Sequence, residues 1–555
     1  MNYVIAEPQA MASVAAQIDE IGSALSAANA AAAAPTSSLA AAAGDEVSAA
    51  VADLFGAFGQ EYQAAVAQVG AFQSQFQQTL ANAGIAYAET EAAIAATLGL
   101  GAPGALAPSL AAAAFPLPPT DFTFFIGGTG TPIPSASFLT KANDLYVRLA
   151  NSMISFVTPE QLYPLTGVKS LPLNPSVSEG VTILDDALYN TIAVQHKTVT
   201  VFGISQSAII SSLEMQNLLN GTSTFTAHGV PIPTPAQLQF QLTGNEVNPN
   251  GGLLSRFPNL SLPALGLDFF PAMDANVPWT VHNYTLEYDG FADFPRYPIN
   301  FVSDLNAMAG IIFVHPTYLN LTTAQIDNAV QLPTSPGYTG NTSYYIIHHP
   351  DLPLLQPLKS IPVIGQPLID LIQPDLRVLV NLGYGDPNFG YSTSYADVPT
   401  HFGLFPDVAP ATIFNALSTG TQQGIHDFSL DIQHIASQPA SVVPPLALPA
   451  APDPMTTLAN LPSPAKVVNT LTKIVSDDYA VLLPTADIAT TFATTLPLYD
   501  AQLFLSELGQ GNLINAIGYP IAADVGLGTV AGGVEVLTVI AALAGNVKDL
   551  QTLIP

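Results

Sequence analysis

From Lys197 to Gln216 the chain reads KTVTVFGISQSAIISSLEMQ. A β-branched strand, Thr198 to Phe202, runs straight into Gly203-Ile204-Ser205-Gln206-Ser207, and a helix begins near Ala208. This strand–turn–helix has the form of a nucleophile elbow. The sharp turn strains the backbone of Ser205 and lifts its Oγ above the sheet edge. Small flanking residues keep the turn free of clashes. The next N–H, that of Gln206, points from the helix N-terminus toward a developing oxyanion. The usual pattern is G-x-S-x-G, and Ser207 stands at its last position, where serine is still small enough. The alternative is a plain strand-to-helix turn with no chemistry.

The surrounding pattern agrees with a sheet covered by helices. Phe122–Ile126, Thr280–Tyr288 and Tyr344–Ile347 read as further strands, and Val181–Ala193 as a helix with Ser176 and Glu179 placed as a capping box. Such alternation predicts an α/β sandwich around a mainly parallel sheet. Upstream the pattern changes. Residues 9 to 95 read as alanine-rich helix with single apolar stripes, Val14, Ile18, Ile21 and Leu25, then Val47, Val51, Leu54 and Phe58, broken at Pro35-Thr36-Ser37-Ser38. Two helices cannot bury a core alone, so this hairpin needs a partner surface, either on the same chain or on another protein. Residues 97–119 are a Gly/Pro/Ala-rich linker. The predicted organisation is a hairpin over 1–96, the linker, a catalytic domain over 120–440 and a Pro/Ala-rich, then helical extension over 441–555, packed on that domain.

Charge narrows the function. Asp and Glu outnumber Lys and Arg by 41 to 11, giving a net charge of −30. That argues against nucleic acid and anionic lipid surfaces, which need clustered cations. An apolar ligand remains compatible, because 49% of residues are hydrophobic and only 9% charged. The absence of cysteine excludes disulfides, thiol catalysis and thiolate metal sites. The first cationic side chain is Lys141, so a cleavable secretory signal with its positive start is not expected. The apolar stretch Gly526–Gly545 is interrupted by Glu535 and reads as a buried helix rather than a membrane span.

A serine nucleophile needs a base and an orienting acid, in the α/β-hydrolase order serine, acid, histidine. The segment TVHNYTLEYDGFADFPRYP offers Asp289 and Asp293 just past a strand end, with Asp293 slightly favoured. Each alone could equally be a turn aspartate. His315, ending the apolar run of NAMAGIIFVHP, is the first choice of base; His348 and His349 come next. Gly127-Gly128-Thr129-Gly130 follows the first strand, where a loop donating a second oxyanion N–H belongs. It lacks the lysine and spacing of a phosphate loop. Asp268 and Asp274 have no companions at metal-ligand spacing, so neither metal nor cofactor is expected.

Together these segments resemble two joined mycobacterial modules. The first hundred residues are similar to the PE domain, with its Pro-Glu signature inverted as Glu7-Pro8. Tyr87-Ala88-Glu89-Thr90-Glu91 fits the Y-x-x-x-[DE] signal of type VII secretion substrates, carried by Tyr87 and Glu91. Residues from about 120 to 440 resemble the PE-PPE domain, a cutinase-like serine α/β hydrolase. The resemblance rests on GGTGTPIP, the G-x-S-x-S elbow, YDGFADFPRYPINFVSDLNAMAGIIFVH, LPLLQPL and QPDLRVLVNLGYGDP. It implies an esterase or lipase with Ser205 as nucleophile and His315 as base, the acid remaining Asp289 or Asp293. Gln206 and the Gly128–Gly130 loop would form the oxyanion hole. The resemblance also implies export to the cell surface or beyond by the type VII machinery, with the hairpin paired to a PPE-family protein. An acyl ester or lipid is the implied substrate. Acyl transfer to an envelope hydroxyl and a non-catalytic surface role are the alternatives.

Overall fold

The computed structural model describes residues 117–437, except 168, and 463–553, with Gln60 alone before them. The expected hairpin, nearly all of the linker, and Tyr87 and Glu91 lie outside the described residues.

Seven strands form the central sheet: β1 (Phe122–Ile126), β2 (Met153–Phe156), β3 (Val199–Ile204), β4 (Leu238–Thr243), β5 (Thr280–Leu286), β6 (Val330–Gln331) and β7 (Thr342–Ile347). Their order is β2-β1-β3-β4-β5-β7-β6. Every neighbouring pair is parallel except the short antiparallel edge β6–β7. A parallel sheet covered on both faces needs strands apolar throughout. Central β3 meets this: Val199, Val201 and Phe202 are wholly buried. Strand β5 stops at Leu286, short of the expected Tyr288, because Tyr288 turns to φ +66 and leaves the extended region.

One sheet face carries α2 (Leu173–Leu188) and α3 (Gln206–Asn220), whose Val177, Leu184, Ile209 and Ile210 pack with Val201 and Phe240. The other face is covered by α1 (Ala136–Ala142) and the turns after it, with Tyr146, Phe202, Tyr284 and Tyr318 in one cluster. Fully burying a side chain of this size contributes about 1.5–3 kcal/mol. The helix expected at Val181 starts eight residues earlier, at Leu173. Proline is tolerated in a first turn, so Pro175 does not delay the start. Ser176 therefore lies inside the helix, buried, and is no cap.

Helix α4 (Phe301–Phe313) leads into the site, and α5 (Gly365–Leu382) packs on α6 (Pro410–Ser437). Beyond residue 462 follow α7 (Pro464–Ala480), α8 (Leu482–Gly509) and α9 (Leu513–Gln551). Leu496, Tyr499, Ala523 and Leu527 from α8 and α9 join the same core as Phe257 and Phe402. The stretch expected to be a buried helix is only partly so. Gly526, Leu527 and Thr538 are buried, but Val536, Val539, Ile540 and Leu543 are exposed. Small residues make the contact here, among them Ala516, Ala522, Ala523 and Gly526, which leaves the large aliphatics outside. Residues 465–509 and 513–551 each contain an 18-residue window apolar enough to cross a membrane by length and composition, with mean hydropathy 1.2 and 1.9.

Candidate active site

Ile204 of β3 lies opposite Thr243 of β4, and Thr243 opposite Tyr284 of β5. The three strands thus deliver their following loops to one carboxyl edge, where ligands bind in open α/β sheets. Ser205, first out of β3, sits at φ 57 and ψ −125 as N-cap of α3. This is the strained geometry an elbow serine requires. Ser207 locks the turn. Its Oγ accepts from the Ile204 N–H at 2.8 Å and reaches the Ile204 carbonyl at 3.0 Å, a role glycine could not fill.

The Ser205 hydroxyl lies 2.8 Å from His315 Nε2. His315 Nδ1 lies 2.8 and 2.9 Å from the two carboxylate oxygens of Asp289. A carboxylate accepts, so Nδ1 carries the hydrogen and Nε2 offers its lone pair to the serine. Asp289 is fully buried, accepting from Phe291 N–H at 3.0 Å and from Tyr318 O–H at 2.7 Å. Burial alone would depress the His315 pKa. The Asp289 carboxylate and Glu246 outweigh it and raise the pKa above its ordinary value. Gly244 makes room for this ring: at φ +61, a Cβ there would stand 2.9 Å from Tyr318 and 3.1 Å from His315 Cε1.

The favoured acid of the sequence reading, Asp293, is elsewhere. Its N–H donates to the Asp289 carbonyl at 2.6 Å, and its carboxylate accepts from Tyr288 N–H at 3.0 Å. The tight turn that presents Asp289 to His315 folds Asp293 back upon the backbone. Burial pushes its pKa well up, with Arg256 opposing. His348 and His349 also lie outside the site, bonded to Glu287 at 3.1 Å and to the Asp351 carbonyl at 2.7 Å.

The glycine loop does approach the serine. A Cβ on Gly128 would lie 3.0 Å from Ser205 Cβ, so only glycine allows the backbone this close. Gly130 is not available as an oxyanion donor, because its N–H is given to the Glu160 carbonyl at 2.7 Å. Gln206 opens α3, where the first four N–H groups have no intrahelical acceptor. Its buried side chain is held by Ser176 Oγ (2.7 Å), the Gln161 carbonyl (2.8 Å) and Thr129 Oγ1 (3.2 Å). The N–H that follows the serine is thereby fixed in direction.

Two neighbours escaped the sequence reading. Tyr318 bonds Asp289 Oδ2, and its only signal was a position three residues past His315. Glu246 Oε1 lies 3.1 Å from Ser205 Oγ, and the loop after β4 gave no sign of it. Burial raises the Glu246 carboxyl to about 7, against the opposing pull of His315 and the Ser205 hydroxyl, with Asp289 adding to the rise. Glu160, behind it, is raised to about 8 by burial, with the Thr158 hydrogen bond opposing and Glu246 adding to the rise. Among the described residues no His, Asp or Glu cluster could hold a metal ion.

A mostly parallel sheet with flanking helices and a serine at the β3 elbow defines an α/β-hydrolase fold. Family comparison agrees: the PE-PPE domain model matches residues 151–385 and the PE family model residues 4–94. Three Mycobacterium tuberculosis proteins are similar over most of the chain. PE family protein PE3 is 44% identical over 76% of this chain and 87% of its own. Esterase PE16 is 42% identical over 73% of each. The uncharacterized PPE family protein PPE28 is 45% identical over 78% of this chain and 67% of its own. The chain belongs to the PE family, with a C-terminal PE-PPE domain.

Proposed function

We propose that this protein is a secreted serine esterase or lipase that cleaves acyl esters through Ser205, His315 and Asp289. The observation carrying this reading is the unbroken hydrogen-bonded series Asp289–His315–Ser205, with 2.8 Å at the serine. The PE-PPE domain and a relative named as an esterase support the lipase- or esterase-like class. In the proposed reaction His315 takes the Ser205 proton as Oγ attacks the ester carbonyl. Gln206 N–H and the Gly128–Thr129 turn stabilise the oxyanion. The imidazolium then protonates the leaving alcohol, and water, activated by the same ring, releases the acid from the acyl-enzyme.

The test is fluorophosphonate labelling beside hydrolysis of a p-nitrophenyl ester. Ser205→Ala should abolish both, and Asp289→Asn should lower turnover by about 10⁴ through the wrong tautomer of His315. Asp293→Asn should retain far more turnover than Asp289→Asn. Equal labelling of wild type and Ser205→Ala would refute the nucleophile assignment. Export is part of the same proposal: the PE domain pairs with a PPE-family protein and carries the chain through type VII secretion, with Tyr87 and Glu91 as signal.

A further inference from the structure

Beside the catalytic edge lies a partly open cavity of about 110 Å3. Leu253, Phe269 and Phe291 line it from the sheet domain; Leu496 of α8 and Leu527 and Ala531 of α9 close its far side. Three lining residues carry polar side-chain atoms, and each is engaged locally. Tyr163 O–H donates to Asp487 at 2.7 Å, Thr491 O–H to the Asp487 carbonyl at 2.9 Å, and Glu246 Oε1 lies 3.1 Å from Ser205 Oγ. An occupant therefore meets hydrocarbon and no uncommitted side-chain donor, which suits an alkyl chain and not a sugar or peptide. At one end, two lining side chains, Glu246 and Phe291, separate the cavity from the reacting atoms. Glu246 touches the nucleophile, and the Phe291 ring stands edge-on to His315 with centroids 4.9 Å apart.

Resting on the hydrolase reading, we infer that this cavity binds the acyl chain of the ester, and that α8 and α9 set the chain length accepted. These helices lie beyond the matched PE-PPE segment. The specificity of the site would thus be carried by a part of the chain outside the domain that supplies the chemistry. With the carbonyl at Ser205 Oγ, the chain runs past Glu246 and Phe291 toward Leu527 and Ala531.

The experiment compares p-nitrophenyl acetate, octanoate and palmitate on the full chain, wild type against Ala531→Trp, which fills the cavity, and Leu496→Ala, which enlarges it. Neither residue touches the catalytic groups. Ala531→Trp should leave kcat/KM for acetate within about twofold and lower octanoate at least tenfold, roughly the loss expected when an apolar pocket rejects added methylenes. Leu496→Ala should move the preference toward palmitate. Chain-length profiles parallel to wild type in both variants, with fluorophosphonate labelling of Ser205 retained, would overturn the assignment while leaving the hydrolase reading intact. A wild type that neither labels nor hydrolyses any ester would remove both.

Discussion

At the residue scale the site holds a competition for one proton. Ser205 Oγ can donate to His315 Nε2 at 2.8 Å or to Glu246 Oε1 at 3.1 Å. An ionised Glu246 is an acceptor only, so it draws the hydroxyl proton away from the base and places negative charge beside the forming alkoxide. A neutral Glu246 can instead donate to Oγ and leave the hydroxyl proton to His315. His315, Asp289 and Glu160 also face this carboxyl. Burial holds Glu246 neutral up to about pH 7, so turnover should fall as pH rises through that value. In the proposed mechanism the acid limb belongs to His315, which must be neutral to act as base. Glu246→Gln, neutral at every pH, should abolish the alkaline fall and leave the acid limb in place. Superimposable pH profiles would remove Glu246 from the account. Stability follows the same sign. The folded chain keeps a proton that the unfolded chain releases above pH 4.5, so this carboxyl lowers stability progressively from there toward pH 7.

At the scale of elements, the reactive geometry depends on where three adjacent strands end. β3 delivers Ser205, β4 delivers Gly244 and Glu246, and β5 delivers Asp289, while α4 returns His315 to the same edge. Gly244 joins two of these elements, since its positive φ turns the chain and its missing side chain admits the imidazole. Gly244→Ala should cost about 1 kcal/mol or more of stability, from strain at positive φ. It should slow turnover far more, by roughly 10²-fold, because a displacement of His315 of about 1 Å spoils the alignment. Thermal denaturation and single-turnover kinetics would separate the two effects. Equal turnover would show that the ring has room to spare.

At the scale of the whole molecule, chemistry and delivery are assigned to different stretches. Among the described residues, the groups that bond Ser205, His315 and Asp289 belong to the unit Ser109–Pro555. Removing residues 1–95 should therefore leave ester hydrolysis within about twofold, measured as kcat/KM. In a mycobacterial host with its secretion machinery, the same deletion should abolish appearance of the protein outside the cell. Unchanged export would contradict the role given to the hairpin.

What the sequence by itself determined is what local physics dictates. The β3 elbow, the glycine loop at Gly128 and four strands, β1, β3, β5 and β7, were legible with starts within two residues, because β-branched runs, small residues and turn residues act within a few positions of one another; β2, β4 and β6 were not. His315 was legible as the end of an apolar run before a proline. Only the tertiary structure showed which of Asp289 and Asp293 meets His315, because both close the same turn and the contact depends on which carboxylate faces a helix arriving from residue 301. Glu246 and Tyr318 became visible only when separate loops met, as did the engagement of the Gly130 N–H by Glu160. The placing of α8 and α9 against the cavity was likewise beyond local pattern. The buried side of α9 runs largely along alanine and glycine, whose small apolar faces carry almost no periodic signal until a partner surface is present, and α8 buries only Pro484, Thr491, Leu496 and Tyr499 of its length.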